Sequence, residues 1–277
     1  GIIAGAASAA YGWKAGFLTA GIGMLLSLVT QLVFAERLLG DIGKVPAAKR
    51  AAAMNKSGKQ EPMTRQERDR LKVIMIMGLF VVIFWAGFEQ AGGLMNIFSQ
   101  QYTDRMIGSF EVPAAWFQSL NPFFVITLAP IIAGIWVKLG PKEPSSPIKF
   151  AMGLFFLAIG FLCMIGAVMQ QGGDITVKTS MMWLVGAYFF HTLGELCLSP
   201  IGLSMVTKLA PLRLASLMMG AWFGFNAIAN YVAGIIGSQV GEAGPMAIFS
   251  GIAIAATIAG VLLLLCSNQL IRWMHGA

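Results

Sequence analysis

Residues 71–100 read LKVIMIMGLFVVIFWAGFEQAGGLMNIFSQ, with Lys72 and Glu89 as the only charged residues. As a helix this stretch would extend roughly 45 Å at 1.5 Å per residue, which exceeds the roughly 30 Å hydrocarbon core of a bilayer. In lipid, every backbone N–H and C=O group must be paired within the protein. The stretch therefore predicts a membrane-spanning helix.

The same apolar pattern recurs along the chain. Of the 277 residues, 57% are hydrophobic and 11% are charged, whereas a soluble domain carries about 25% charged residues. A surface that faces lipid needs few charges, so composition and pattern together predict an all-α polytopic membrane protein. The predicted spans are residues 13–37, 71–100, 114–138, 148–170, 180–207, 214–240 and 245–271.

The segment 39–70 differs because basic residues crowd into it among Ala, Gly and Ser. We interpret it as a flexible linker on the cytoplasmic side, since cytoplasmic segments carry an excess of Lys and Arg. With alternating spans, only Lys14, Arg105 and Lys178 then fall outside. The net charge of +7 thus reflects membrane topology, and we expect no nucleic-acid partner. Near the end of the linker, Thr64-Arg65-Gln66-Glu67 matches a capping box and predicts a helix start at Thr64.

Two acidic residues, Glu89 and Glu195, lie deep inside predicted spans, and no Lys or Arg lies in the interior of these spans to pair with them, since Lys72 is at the cytoplasmic end of its span. A charge at the centre of a membrane helix costs about 2.5–3.5 kcal/mol on insertion scales. Counted from Lys72 and Lys208, Glu89 lies roughly 25 Å and Glu195 roughly 20 Å from the cytoplasmic face. Both are candidate proton-binding groups, and the alternative is a neutral acid in a structural hydrogen bond.

Proline and glycine mark possible hinges. Asn121-Pro122 begins the third span, and Ser199-Pro200 follows Glu195 by four residues. Proline in a helix removes a backbone hydrogen bond, which allows either a hinge or a simple kink. Gly92-Gly93 follows Glu89 and permits bending, although close packing is the more common role of such glycines in membrane helices.

Two other polar or aromatic residues are candidates. His191 precedes Glu195 by one helical turn, so the two could share a proton, but a buried histidine with a structural role is favoured. Trp222 lies in a glycine-rich run and either lines a cavity or fills the core. No nucleophile–base pair, phosphate loop or Cys/His metal spacing occurs, so we expect neither an enzyme nor a cofactor or metal.

Four blocks of sequence resemble the proton-dependent oligopeptide transporters, in the order and at the spacing found in that family. They correspond to the start or core of the family's seventh, eighth, tenth and eleventh helices. The blocks are Phe84–Gln90, Trp116–Pro122, Gly194–Leu203, and Lys208–Pro211 followed by Trp222.

The resemblance implies a domain organisation. Residues 1–38 would hold the end of helix five and helix six of the N-terminal bundle, 39–70 the linker, and 71–277 the C-terminal six-helix bundle of a major-facilitator-type fold. Because Gly1–Gly5 has no initiator Met and reads as the tail of a helix, we expect upstream helices, including the ExxER motif of helix one, in a longer protein.

The resemblance also implies roles for individual residues. Glu195 would hold the ammonium group of a peptide, Asn121 its backbone, and Trp222 a side chain. Glu89 would be the proton site, alternately ionised against a helix-one arginine and protonated. A hinge or gate is expected at Gly92, Gly93, Ser199 and Pro200. His191 is not part of the family pattern.

The function implied is proton-coupled symport of di- and tripeptides across the plasma membrane, here a bacterial inner membrane, by alternating access. Its partners would be the peptide, the lipid bilayer and the N-terminal helices, with protons as the coupling ion. One alternative is another small solute such as nitrate, although Glu195 would repel an anion. Another is a structural half that does not transport. A seven-helix receptor does not fit the basic linker or the motifs.

Overall fold

The computed structural model describes residues 2–40, 45, 62–174 and 176–276. Most of the predicted linker, residues 39–70, therefore lies outside the described residues. Its end confirms the predicted capping box, because the Glu67 N–H donates to Thr64 Oγ1 over 3.2 Å and the Thr64 N–H donates to Glu67 Oε2 over 2.9 Å. These two bonds satisfy the first free N–H groups of the helix that begins at Arg65.

Helices dominate the described residues, and seven helical stretches among them are long and apolar enough to cross a membrane. The predicted all-α polytopic fold class is confirmed. The helices are α1 (Ile2–Tyr11), α2 (Trp13–Leu39), α3 (Arg65–Phe88), α4 (Leu94–Tyr102), α5 (Leu120–Leu139), α6 (Ser146–Gln171), α7 (Met182–Leu209), α8 (Ala215–Ser238) and α9 (Val240–Met274).

Short irregular turns interrupt or precede several helices. A 3-10 turn, Glu89–Ala91, lies between α3 and α4 within one predicted span, and another, Ala114–Ser119, precedes α5. Within α9 the backbone leaves the helical conformation at Gly244, whose φ of +76° is unfavourable for residues with a Cβ. The last long helix therefore continues from Pro245, as the sequence predicts.

Among the described residues, four two-residue strands lie in the loop after α4 and the loop before α7. β1 (Thr103–Asp104) pairs in parallel with β4 (Thr179–Ser180), and β2 (Met106–Ile107) forms a hairpin with β3 (Phe110–Glu111). Arg105 supports the hairpin, since its Nη1 donates to the carbonyl of Val112 over 2.6 Å. The pairing of β1 with β4 fastens the loop after α4 to the loop before α7.

The centre of the bundle consists of α3, α6, α7 and α9. Their fully buried residues include Phe84, Phe161 and Phe249. The ring centroids of Phe161 and Phe249 lie 5.9 Å apart. Helices α6 and α7 cross with their backbones in contact, because a Cβ added to Gly153 would lie 2.9 Å from the Gly194 carbonyl oxygen. Small residues at a crossing allow this close approach between membrane helices.

Two of the spans lie at the edge of the bundle. No residue of α5 is fully buried, and the apolar core of the α2 span is likewise exposed. Helix α5 packs mainly on α7, and α2 packs mainly on α1. The face of α7 that α5 partly covers carries Glu195, so the site lies at an open side of the bundle.

Candidate functional site

Glu195 and Asn121 meet between α7 and α5. Asn121 is the second residue of α5, and its Nδ2 donates to Glu195 Oε2 over 2.7 Å and to Thr192 Oγ1 over 3.2 Å. The Thr192 hydroxyl donates in turn to the backbone carbonyl of Tyr188 over 2.7 Å. Both N–H protons of the Asn121 amide are therefore used within the site, while its carbonyl oxygen Oδ1 accepts no hydrogen bond from the described residues.

The close helix crossing fixes the position of Glu195. Gly194 lies directly against Gly153, with only 2.7 Å between an added Cβ at Gly194 and the Gly153 carbonyl oxygen. Glu195, the next residue, is half-buried. Its Oε2 is bonded to Asn121, and its Oε1 has no hydrogen bond within the described structure. The carboxyl group can therefore accept a further donor without losing the bond it already has.

Glu89 lies where α3 ends. It is the first residue of the 3-10 turn, and the chain leaves the helical conformation at Gly93, which has φ of −101° and ψ of −98°. A Cβ added at Gly93 would meet nothing within 4 Å, so close packing does not explain this glycine. We call the segment Glu89–Gly93 the Glu89 turn, and it interrupts the helix at the position predicted for a hinge.

Neither carboxyl group has a cationic partner among residues 2–40, 62–174 and 176–276. The ion pairs in these ranges involve other acids, such as Glu67 with Arg213 and Asp69 with Lys72. Since a charge in the membrane interior is costly, two unpaired carboxyl groups at an open side require a cavity or another protein surface beside them.

Trp222 is more deeply placed than the resemblance implies. The side chain is 4% exposed, and its ring fills the space over Gly202, where an added Cβ would lie 2.5 Å from Trp222 Cζ2. It also packs against Phe150, with ring centroids 6.3 Å apart. Its edge reaches a small pocket together with Trp85, Leu198, Ser199, Leu203, Phe223 and Asn226. Contact with a substrate side chain stays a prediction, limited to this edge.

His191 and Pro200 lie in α7 but in different surroundings from Glu195. The His191 ring packs on Phe161 at 4.8 Å and fits over Gly160, on the side of α7 that faces α6. It makes no hydrogen bond with Glu195, so the structure gives no support to a shared proton. Pro200 lies within α7, which continues through it, so a hinge at Ser199-Pro200 stays a prediction.

Sequence reasoning missed three polar residues that support the site, namely Thr192, Tyr188 and Gln90. All three are buried and hydrogen-bonded to side-chain or backbone groups around Glu89 and Glu195. Their spacing from the two acidic residues in the sequence could have identified them. Thr192 and Tyr188 precede Glu195 by three and seven residues, which places them on the same face of a helix, and Gln90 directly follows Glu89.

Comparison with known proteins places the sequence among transporters. The family model of the POT family, PTR2, matches residues 37–249. The peptide transporter YePEPT of Yersinia enterocolitica subsp. palearctica is 44% identical over 183 residues, which cover 64% of this chain and 35% of that protein. Dipeptide and tripeptide permease A of Escherichia coli K12 is 33% identical over 217 residues, which cover 74% of this chain and 43% of that protein.

Solved structures agree as well. A crystal structure of a peptide transporter POT in complex with sulfate matches with a TM-score of 0.84 at 30% identity, over 99% of this chain and 65% of that one. This match confirms the major-facilitator-type architecture. The chain spans less than half the length of the two curated relatives. Glu89, Asn121, Glu195 and Trp222 all lie within the residues that the family model matches, and the chain belongs to the POT family.

Proposed function

We propose that this chain is part of a symporter that carries di- and tripeptides into the cell together with protons. In this proposal residues 71–277 form the C-terminal bundle, residues 1–38 belong to the N-terminal bundle, and 39–70 link the two on the cytoplasmic side. The observation that carries the proposal is the Asn121–Glu195 pair, which leaves acceptor oxygens free at an open, half-buried face. The similarity to a peptide transporter and to a dipeptide and tripeptide permease supports the same proposal.

The peptide terminus that suits this site is the ammonium group. Glu195 Oε1 accepts one of its protons, and Asn121 Oδ1 accepts another or a peptide N–H, because the amide protons of Asn121 are already donated to Glu195 and Thr192. Hydrogen bonds that involve an ionised group are about twice as strong as neutral ones. A small anion such as nitrate would instead meet a carboxylate and a carbonyl oxygen, so we favour a peptide.

The proton site in this proposal is Glu89. A proton on its carboxyl group removes the negative charge and releases any cation that the other bundle supplies. The change in charge acts at the Glu89 turn, where the helix is already interrupted. Protons moving down their gradient across a bacterial inner membrane then drive peptide uptake, and the cycle needs no cofactor.

Replacement of Glu195 tests the substrate role. In proteoliposomes that contain the full-length transporter, we expect Glu195→Gln to lower kcat/KM for dipeptide uptake roughly ten- to hundredfold, since a hydrogen bond to a charged group contributes about 1.5–3 kcal/mol. The matched control is Glu242→Gln, which changes an exposed acid in the first turn of α9. Dipeptide uptake that is equal in the two variants would contradict the assigned role.

A further inference from the structure

A buried tyrosine holds the Glu89 turn from the side of α7. Tyr188 is 2% exposed, and its hydroxyl donates to the backbone carbonyl of Ala91 over 3.1 Å. Ala91 is the last residue of the 3-10 turn that begins at Glu89. An interruption in a membrane helix leaves carbonyl groups without their usual helical partners, and such groups need a donor from elsewhere.

A buried glutamine holds the same turn from the side of α8. Gln90 is 2% exposed, and its Nε2 donates to the carbonyl of Ala86 over 3.1 Å and to the carbonyl of Ala233 over 3.0 Å. The first bond runs from the turn back to the end of α3, and the second crosses to α8. The turn is thus fastened to two other helices by side chains that are screened from solvent.

The α7 residues that fasten the turn also support the Asn121–Glu195 pair. The backbone carbonyl of Tyr188 accepts from Thr192 Oγ1, and Thr192 Oγ1 accepts from Asn121 Nδ2. A movement of α7 that follows a change at Glu195 therefore acts on the bond between Tyr188 and Ala91. The two acidic sites are connected through one short segment of α7.

We propose that Gln90 and Tyr188 are positioning residues for proton coupling: they hold the Glu89 turn in its interrupted form and so set the place of the Glu89 carboxyl group. Their bonds to Ala91 and Ala233 are present while the helix is interrupted. This inference rests on the proposed role of Glu89 as the proton site.

Tyr188→Phe tests the inference because it removes one donor and keeps the ring. In the full-length transporter we expect about fivefold slower proton-driven dialanine uptake, since a buried acceptor loses its bond. The midpoint of its pH profile should shift, while the half-saturating dialanine concentration in counterflow stays within about twofold. The control is Tyr102→Phe, whose hydroxyl has no hydrogen bond with any described residue and whose ring packs on Phe98 at 5.3 Å.

A second variant and a structural measurement keep the inference testable if Tyr188→Phe folds poorly. Gln90→Met removes both donors at similar volume, with Gln101→Met, at an exposed position, as its control. Hydrogen–deuterium exchange of the backbone at residues 89–94 should be faster in both test variants than in both controls.

Two outcomes overturn the inference. Either proton-driven uptake and its pH profile match the controls in Tyr188→Phe and Gln90→Met, or uptake falls while exchange at residues 89–94 is unchanged. Failure of the proposed function is recognised separately, because the unaltered transporter would then take up no dialanine, whereas the exchange experiment would still report on the Glu89 turn.

Discussion

Asn121 occupies one carboxyl oxygen of Glu195 and leaves the other available. The orientation of the Asn121 amide depends on a neighbour that sequence reasoning missed. Thr192 Oγ1 accepts a hydrogen bond from the second N–H of the Asn121 amide and donates its own O–H to the carbonyl of Tyr188. The amide is therefore held with its carbonyl oxygen free. Together with Glu195, the Thr192 hydroxyl orients the amide so that a substrate would meet its carbonyl oxygen.

Thr192→Val removes that hydroxyl and conserves the shape of the side chain. We expect a loss of about 1–3 kcal/mol in the interactions that hold Asn121, because a buried donor and a buried acceptor lose their partner. The half-saturating dipeptide concentration should rise several-fold, measured by counterflow in proteoliposomes. Thr257→Val is the control, since Thr257 makes a similar bond to Ala253 within α9. Equal dipeptide affinity in the two variants would show that Thr192 has no part in positioning Asn121.

At the scale of the helices, the crossing of α6 and α7 places Glu195. The backbones touch at Gly153 and Gly194, and no side chain separates them. Hydropathy predicts both helices but not their crossing, because a glycine that packs against a backbone and a glycine on an exposed face look the same in one sequence. Gly251 in α9 is an example of the second kind, since it is exposed and an added Cβ would meet nothing within 4 Å.

Gly153→Ala should push α6 and α7 apart, since the new Cβ would lie 2.9 Å from the carbonyl oxygen of Gly194. We expect a loss of stability of about 1–3 kcal/mol from overpacking and weaker dipeptide binding, because Glu195 moves with its helix. Thermal unfolding in detergent and counterflow measure the two effects. Gly251→Ala should leave both nearly unchanged. An unchanged unfolding midpoint in Gly153→Ala would mean that the crossing adjusts without cost.

At the scale of the whole molecule, the two carboxyl groups face an open side of the bundle and have no cation beside them in the part of the chain that is described. The exposed apolar residues of α2 and α5 lie on the periphery as well. In the proposed transporter a second bundle covers the open side and supplies the charge that pairs with Glu89. Under this proposal, proton coupling would be a property of the two bundles together.

Glu89→Gln tests coupling at this scale. In the full-length transporter we expect uphill dipeptide uptake driven by a pH gradient to be lost, because the amide carries no titratable proton. Counterflow, which needs no net proton movement, should be partly retained. Both rates are measured in the same proteoliposomes, with Glu242→Gln as the control. Accumulation that still follows the pH gradient would place the proton site elsewhere.

The sequence alone predicts the seven spans, the helix start at Thr64, and Glu89 and Glu195 as the acids within the membrane. These features depend on local properties, namely the length of apolar runs and the cost of a charge in lipid. Its ordered motifs also predict the family. The spacing of His191 and Glu195, by contrast, leaves a shared proton open beside the favoured structural role, and only the structure shows that His191 packs toward α6.

Only the tertiary structure decides which residues meet. Asn121 and Glu195 are 74 positions apart, and Gln90 and Ala233 are 143 apart. These contacts depend on how closely helices approach, which the sites of Gly153 and Gly194 allow and which hydropathy does not encode. The same packing buries Trp222 and fastens the Glu89 turn to α7 and α8. Hydropathy is a property of each segment, whereas a hydrogen bond between helices is a property of their arrangement.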